Sequence, residues 1–221
     1  MSTELERLVR LGRSLYERGL SPGRTGNLSI LHDGEFLMTP TGASLGDLDA
    51  DRISVLDSDG RHIRGPAPTK EYPLHLACYR REPAIRAVAH VHSTFATAVS
   101  LLADVDPGQA LPWLTPYFVM RVGALPLLPY RAPGAGEAAG DLGALVAGVR
   151  CALMSNHGSI AMAESIDAAV DAIEEIEEAS KLHFILGDRN TRGLPPAEIT
   201  RLMSAKLAGT VPASTAGATQ E

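Results

Sequence analysis

Residues 87–100, AVAHVHSTFATAVS, constrain the fold more than any other stretch of the chain. The apolar, β-branched run beginning at Ala87 reads as a buried strand, and Ser93 or Thr94 then caps a helix running through Leu102. The strand ends in His90 and His92. Residues i and i+2 of a strand share a face, so the two imidazoles project side by side. Two readings fit that placement: a hydrogen-bonded polar end to a core strand, or half of a metal site.

The surroundings repeat the mixture of strand and helix. TELERLVRLGRSLYERG reads as an amphipathic helix, with Thr3 and Glu6 as a capping box, Leu5, Leu8, Val9, Gly12, Leu15 and Tyr16 on one face, and Gly19 at the stop. GNLSILHDGEFLMTP reads as a hairpin turning at Asp33-Gly34, and ISVLDSDGRHI as a further strand and turn. TKEYPLHLACYRREP is a helix with Pro73 in its first turn, pointing Leu74, Ala77 and Cys78 inward. The proline-rich stretch DPGQALPWLTPYFVMRVGALPLLPYRAPG reads as loops and short strands, where sites tend to sit. CALMSNHGSIAMAES is strand, tight turn, strand. Ser165 to Leu186 is a helix with Ile166, Ala169, Val170, Ile173 and Ile176 on one stripe. No repeat or domain linker is visible. One α/β domain over residues 1–205 is expected, followed by an Ala/Thr/Gly/Ser-rich, disordered tail over 206–221.

Length and charge limit what such a domain does. The 221 residues suffice for one well-buried domain and are few for two. A net charge of −6 argues against nucleic acid or an acidic membrane as the main partner, and no apolar run approaches a membrane span. Cys78 and Cys151 lie in apolar segments and read as buried thiols of a reducing cytoplasm. Glu4 and Glu6 stand where a signal peptide would be basic and then apolar, so a cytoplasmic location is expected.

His157 changes the weight of the two readings. It stands in SNHG, a turn between apolar runs, where it could make local bonds or complete a three-imidazole site. Glu71 begins a helix, whose N-terminus favours its charge, and alone it is a good first-turn residue. His75 is one turn further on and could support Glu71 from behind. His32, His62 and His183 sit in contexts that suit surface or local hydrogen bonds.

Taken together, GNLSI, TPTGASLGDLD, KEYPLHLACYRREPAIRAVAHVHSTFATAVS and SNHGSIAMAES resemble the class II aldolase/adducin family, from the N-terminal helix to about Leu186. The resemblance implies a three-layer α/β/α domain with a central mixed, largely antiparallel sheet, assembled as a homotetramer with active sites between subunits. It implies metal ligation by Glu71, His90, His92 and His157, usually of Zn2+, although the donor set also accepts Mn2+ or Co2+. Glu71 would be the catalytic acid/base. The family's phosphate loops fall on Gly26 and Asn27, on Thr41 and Gly42, and on Thr69 with Lys70, all turn-like segments offering hydroxyls and backbone N–H groups.

Lys70, in TKE, resembles the branch of 3-oxo-tetronate 4-phosphate decarboxylases and would hold the phosphate or the departing carboxylate. The reaction implied is loss of CO2 from a phosphorylated 3-oxo sugar acid, through a metal-stabilised enediolate, to give dihydroxyacetone phosphate. The alternatives are aldol cleavage of a ketose phosphate, dehydration of a related sugar phosphate, and a non-catalytic binding module as in adducins. Tyr117 and Tyr130 are candidates for proton delivery or substrate contact. Family aldolases use an aromatic residue of a C-terminal tail; no aromatic follows Met203, which favours decarboxylation.

Overall fold

The computed structural model describes residues 3–134 and 136–207. The chain begins with α1 (Thr3–Glu17), the hairpin β1 (Asn27–His32) and β2 (Glu35–Met38), and the short strands β3 (Ser54–Leu56) and β4 (His62–Arg64). Then come α2 (Tyr72–Arg81), β5 (Ala87–Val91), α3 (Thr94–Ser100), α4 (Pro116–Arg121) and β6 (Leu127–Leu128). The remainder is α5 (Gly136–Gly143), β7 (Cys151–Met154), β8 (Gly158–Ala163), α6 (Ile166–Leu186) and α7 (Pro196–Leu207).

Among the described residues, eight strands form one sheet in the order β4-β3-β2-β1-β5-β8-β7-β6. Every pairing is antiparallel except β6 with β7. The mixed, largely antiparallel sheet expected for a three-layer domain is therefore present. Asp33 and Gly34 both take positive φ, 49° and 81°, which is the backbone a two-residue hairpin turn requires.

Strand alternation divides the core in two. Ala87, Ala89 and Val91 face a cluster containing Leu8 and Leu15 of α1, Phe118 of α4, and Ile173 and Ile176 of α6. Arg7 of α1 and Arg18, just past its end, form ion pairs with Asp167 and Glu174 of α6 over this layer. Val88, Ile160 and Met162 face the other way, against Leu74, Cys78 and Tyr79 of α2 and Leu142 of α5. His90 alternates with Ala89 and Val91, so its ring lies on the α2 side of the sheet.

Several local expectations change. The proline-rich segment contains α4, which Thr115 caps by accepting from Phe118 N–H, with Pro116 in the first turn. On α2 the buried residues are Leu74, His75, Leu76, Cys78 and Tyr79, and Ala77 is only half-buried. Tyr16 is 42% exposed and lies against Gly46, where an added Cβ would meet its ring at 2.3 Å. Lys206 and Leu207 belong to α7, where the Lys206 ammonium donates to the carbonyls of Arg121 and Val122, each at 2.7 Å. The rest of the expected tail, 208–221, lies outside the described residues.

Candidate metal centre

The site lies where β5 leaves the sheet and α2 begins. Asn27 of β1 is the register partner of His90, which places the end of β1 beside the two histidines. His90 Nδ1 donates to the carbonyl of Ser159 at 2.9 Å, so the lone pair of its Nε2 faces outward. That atom is 3.0 Å from His92 Nε2 and 3.3 Å from Glu71 Oε2, while His157 Nε2 is 3.3 Å from Glu71 Oε1. One ligand atom from each of Glu71, His90, His92 and His157 lies within 4.8 Å of all the others. The three rings meet edge to face, with centroids 4.6 to 4.9 Å apart. Such packing aims ring nitrogens at a common point.

The SNHG turn owes its shape to two residues. Asn156 takes φ 58°, and Gly158 lets β8 approach β5 so closely that an added Cβ would stand 2.3 Å from the Val91 carbonyl oxygen. α3 fastens the turn: Asn156 N–H donates to Ser100 O at 3.2 Å and the Thr97 hydroxyl to His157 O at 3.3 Å. Gly26 serves the opposite wall, with φ 76° and only 2.9 Å between its missing Cβ and the His90 carbonyl oxygen.

Electrostatics prepare the donors. Burial, reinforced by the neighbouring imidazoles, pushes His92 down to about 3, and burial with His90 pushes His157 down to about 4. Burial works against ionisation of Glu71, but the neighbouring His90 ring, the Asn27 amide and His157 outweigh it, holding the carboxyl well below the usual range. An ionised Glu71 beside His92 and His157 held neutral suits the binding of a divalent cation. Glu71 Oε1 is buried and has no hydrogen-bond partner. A bare carboxylate oxygen in a buried site is costly unless something positive meets it. The four residues therefore fit a divalent metal ion, with three nitrogens and one oxygen as donors.

The remaining predicted residues distribute unevenly. Asn27 Nδ2 donates to Glu71 Oε2 at 2.8 Å. Thr39 links to Leu28 through two hydrogen bonds, of 3.0 and 3.2 Å, and its carbonyl accepts from Thr69 N–H at 3.1 Å. Thr41 N–H donates to Ala67 O at 3.0 Å, so segments 26–27, 41–42 and 69–70 are tied into one wall beside Glu71. Thr69 is buried and its hydroxyl accepts from Glu71 N–H at 3.3 Å; Thr41, Gly42 and Lys70 are exposed.

Tyr117 and Tyr130 are each 58% exposed, and the Tyr117 ring lies 5.8 Å from the Arg121 guanidinium carbon. Neither lines the cleft in front of Glu71 and His157, which is walled by Leu74, Leu128, Arg131, Met154 and Ser155. Arg131, which the sequence reading passed over, pairs with Asp141 through Nε at 2.7 Å and Nη2 at 3.2 Å. Its only sequence signal is a position one residue beyond Tyr130, at the end of an apolar run.

A three-layer α/β/α domain that gathers three imidazoles and a carboxylate at the end of its central strands has the donor set of a metal-dependent α/β enzyme. The sequence profile of the Class II Aldolase and Adducin N-terminal domain matches residues 6–184, and the chain belongs to that family. It is 44% identical over 196 residues to the 3-oxo-tetronate 4-phosphate decarboxylase of Pectobacterium atrosepticum, spanning 88% of this chain and 90% of that protein. The L-fuculose phosphate aldolase of Methanococcus maripaludis is 31% identical over 185 residues, 84% of this chain and 98% of its own. The crystal structure of YgbL from Escherichia coli superposes with a TM-score of 0.88 at 44% identity, covering 90% of this chain and 97% of that one.

Proposed function

We propose that the protein is a metal-dependent lyase that decarboxylates 3-oxo-tetronate 4-phosphate to dihydroxyacetone phosphate and CO2. The observation that carries this reading is the likeness, over nearly the whole chain, to proteins named for that reaction. The Glu71, His90, His92, His157 cluster supports it chemically, as the holder of a divalent ion, in our reading Zn2+, with Mn2+ or Co2+ acceptable to the same donors. When bound, that ion supplies Lewis-acid stabilisation for the electron density that moves onto the substrate's adjacent oxygens as the bond to the carboxylate breaks.

The chain's own residues do the rest. Loss of CO2 leaves a carbon that must take up one proton, and Glu71 is the acid/base that carries it there. Gly26, Asn27, Thr41, Gly42 and Thr69 form the wall that receives the phosphate, using backbone N–H groups, the Asn27 amide and the threonine hydroxyls. Lys70 stands exposed beside Glu71 as a cationic partner for the phosphate or the carboxylate. Tyr117 would reach a site only in a neighbouring subunit, and the same reading takes the protein as a cytoplasmic homotetramer with its sites at subunit interfaces. Among the described residues no helix is long and apolar enough to cross a membrane.

The test is an assay of the zinc-loaded protein on 3-oxo-tetronate 4-phosphate, following dihydroxyacetone phosphate and CO2 together. Equimolar release of both, falling about 10²–10⁴-fold in Glu71→Gln, is expected. The family's L-fuculose phosphate aldolases, at 31% identity, make aldol cleavage the second reading. Aldehyde release from a ketose phosphate, without CO2 from the sugar acid, would replace the first reading with it.

A further inference from the structure

Behind Glu71 lies a line of buried polar side chains that metal ligation alone does not require. Asn27 and Ser29 are two apart on β1, while Glu71, His75 and Tyr79 are four apart at the start of and along α2. Two strand residues advance about 6.7 Å and four helical residues about 6 Å, so the two sets interleave like rungs. The contacts follow that order. Asn27 Nδ2 bonds Glu71 Oε2 at 2.8 Å, Asn27 Oδ1 bonds His75 Nε2, His75 Nδ1 bonds Ser29 Oγ at 2.7 Å, and Ser29 Oγ bonds the Tyr79 hydroxyl at 2.7 Å. All five side chains are buried, with His75 and Ser29 at 0% exposure.

The direction of every bond follows from one end. An ionised carboxylate only accepts, so the Asn27 amide must turn its NH2 to Glu71 and its oxygen to His75. His75 must then carry its proton on Nε2 and accept on Nδ1. The Ser29 hydroxyl donates to that nitrogen and accepts from Tyr79. The ring's two nitrogens bond Asn27 and Ser29, and burial, outweighing the nearby Glu71 charge, pushes His75 down to about 3. Tyr79 is held at the far end by its ring, 4.9 Å from that of Phe36.

We propose that His75, Ser29 and Tyr79 are positioning residues: this one-way ladder fixes the Asn27 amide, which restrains Glu71 through Oε2 and leaves Oε1 free for the metal. The proposal rests on the reading of Glu71 as ligand and acid/base. It differs from a purely packing role because it demands a single histidine tautomer and a single amide orientation. A ladder of satisfied buried groups also resists rearrangement, since reversing any one bond orphans its neighbour.

Nitrogen NMR of the histidine-labelled, zinc-loaded protein reads the ladder without any variant. His75 should show an unprotonated Nδ1 and a protonated Nε2; the opposite tautomer, or a mixture of the two, overturns the proposal. Chelator competition then reads its consequence. Ser29→Ala should weaken Zn2+ binding about 10–100-fold while Tyr79→Phe, which leaves the Ser29-to-His75 bond intact, weakens it less. Ser29→Thr, which restores the hydroxyl, should recover affinity. Wild-type affinity in Ser29→Ala overturns the ladder while the metal site stands. Failure of the wild-type protein to take up Zn2+ would instead overturn the site, and the tautomer, read on the metal-free protein, would still judge the ladder. Should Ser29→Ala not fold, the tautomer alone decides.

Discussion

At position 158 an added methyl group would stand 2.3 Å from the Val91 oxygen and 3.2 Å from the His92 Cα, both backbone atoms that cannot step aside. The conflict is steric, and it falls on the segment that carries two of the proposed ligands. Gly158→Ala should lower stability by about 1–3 kcal/mol and weaken divalent-ion binding with it. Gly140, inside α5 with nothing within 4 Å of its missing Cβ, is the control: alanine there should stabilise by about 0.5–1 kcal/mol. Urea midpoints and chelator competition measure both, and equal behaviour of the two variants would remove the argument. Individual residues were also where the sequence spoke most clearly. The H-x-H spacing, the turn histidine and the helix-start glutamate are each short-range patterns, and strand alternation with helix capping predicts where each side chain points. What no local pattern discloses is that Asn27 turns to Glu71 and His75, because that contact joins residues 44 and 48 positions apart.

Among the elements, α3 starts in an unexpected way. Ser93 occupies its cap position but makes no capping bond, and the hydroxyl is buried without a partner. Glu177 of α6 takes over the task, accepting from Phe95 N–H at 3.0 Å and Ala96 N–H at 2.8 Å. Its negative charge also suits a helix N-terminus. Removing it orphans two N–H groups, so Glu177→Ala should cost about 1–3 kcal/mol, and Glu177→Gln should restore part of that through its amide oxygen. Thermal midpoints of the three proteins check the order, and an unchanged Glu177→Ala would refute the capping role. The heptad-like stripe of α6 was legible, whereas this inward glutamate was not, because a carboxylate on a helix reads as solvent-facing until its partner helix is known. α4 was hidden differently. The Thr115-Pro116 start was visible in principle, but a dense run of prolines around it favours a loop reading.

For the molecule as a whole, the buried imidazoles set how stability depends on pH. His75 and His92, at about 3, and His157, at about 4, all fall below the ordinary 6.5 of the unfolded chain. The unfolded state therefore binds more protons between those limits, and stability, complete above about pH 6.5, is lost as the pH drops through the window. Glu71 acts in the same direction, since its lowered carboxyl favours the folded state at any pH above the usual carboxylate value. In the presence of a chelator, the urea midpoint should fall steadily from pH 7.5 to pH 5. Added Zn2+ should raise it at pH 7.5 and much less at pH 5, where protons compete for the same nitrogens. A midpoint flat across that range would contradict the assignment of neutral, buried rings.

The pairing of Asn27 with His90, and of His90 with Ile160, carries one more consequence. Sliding β5 by a single residue against its neighbours would turn His90, and with it His92 just past the strand, toward the opposite core and bring Ala89 and Val91 round in their place. An ion could not then be gathered by the four side chains. Ion capture thus reports whether the central strands have found their one correct alignment, and during refolding it should lag behind sheet formation rather than guide it.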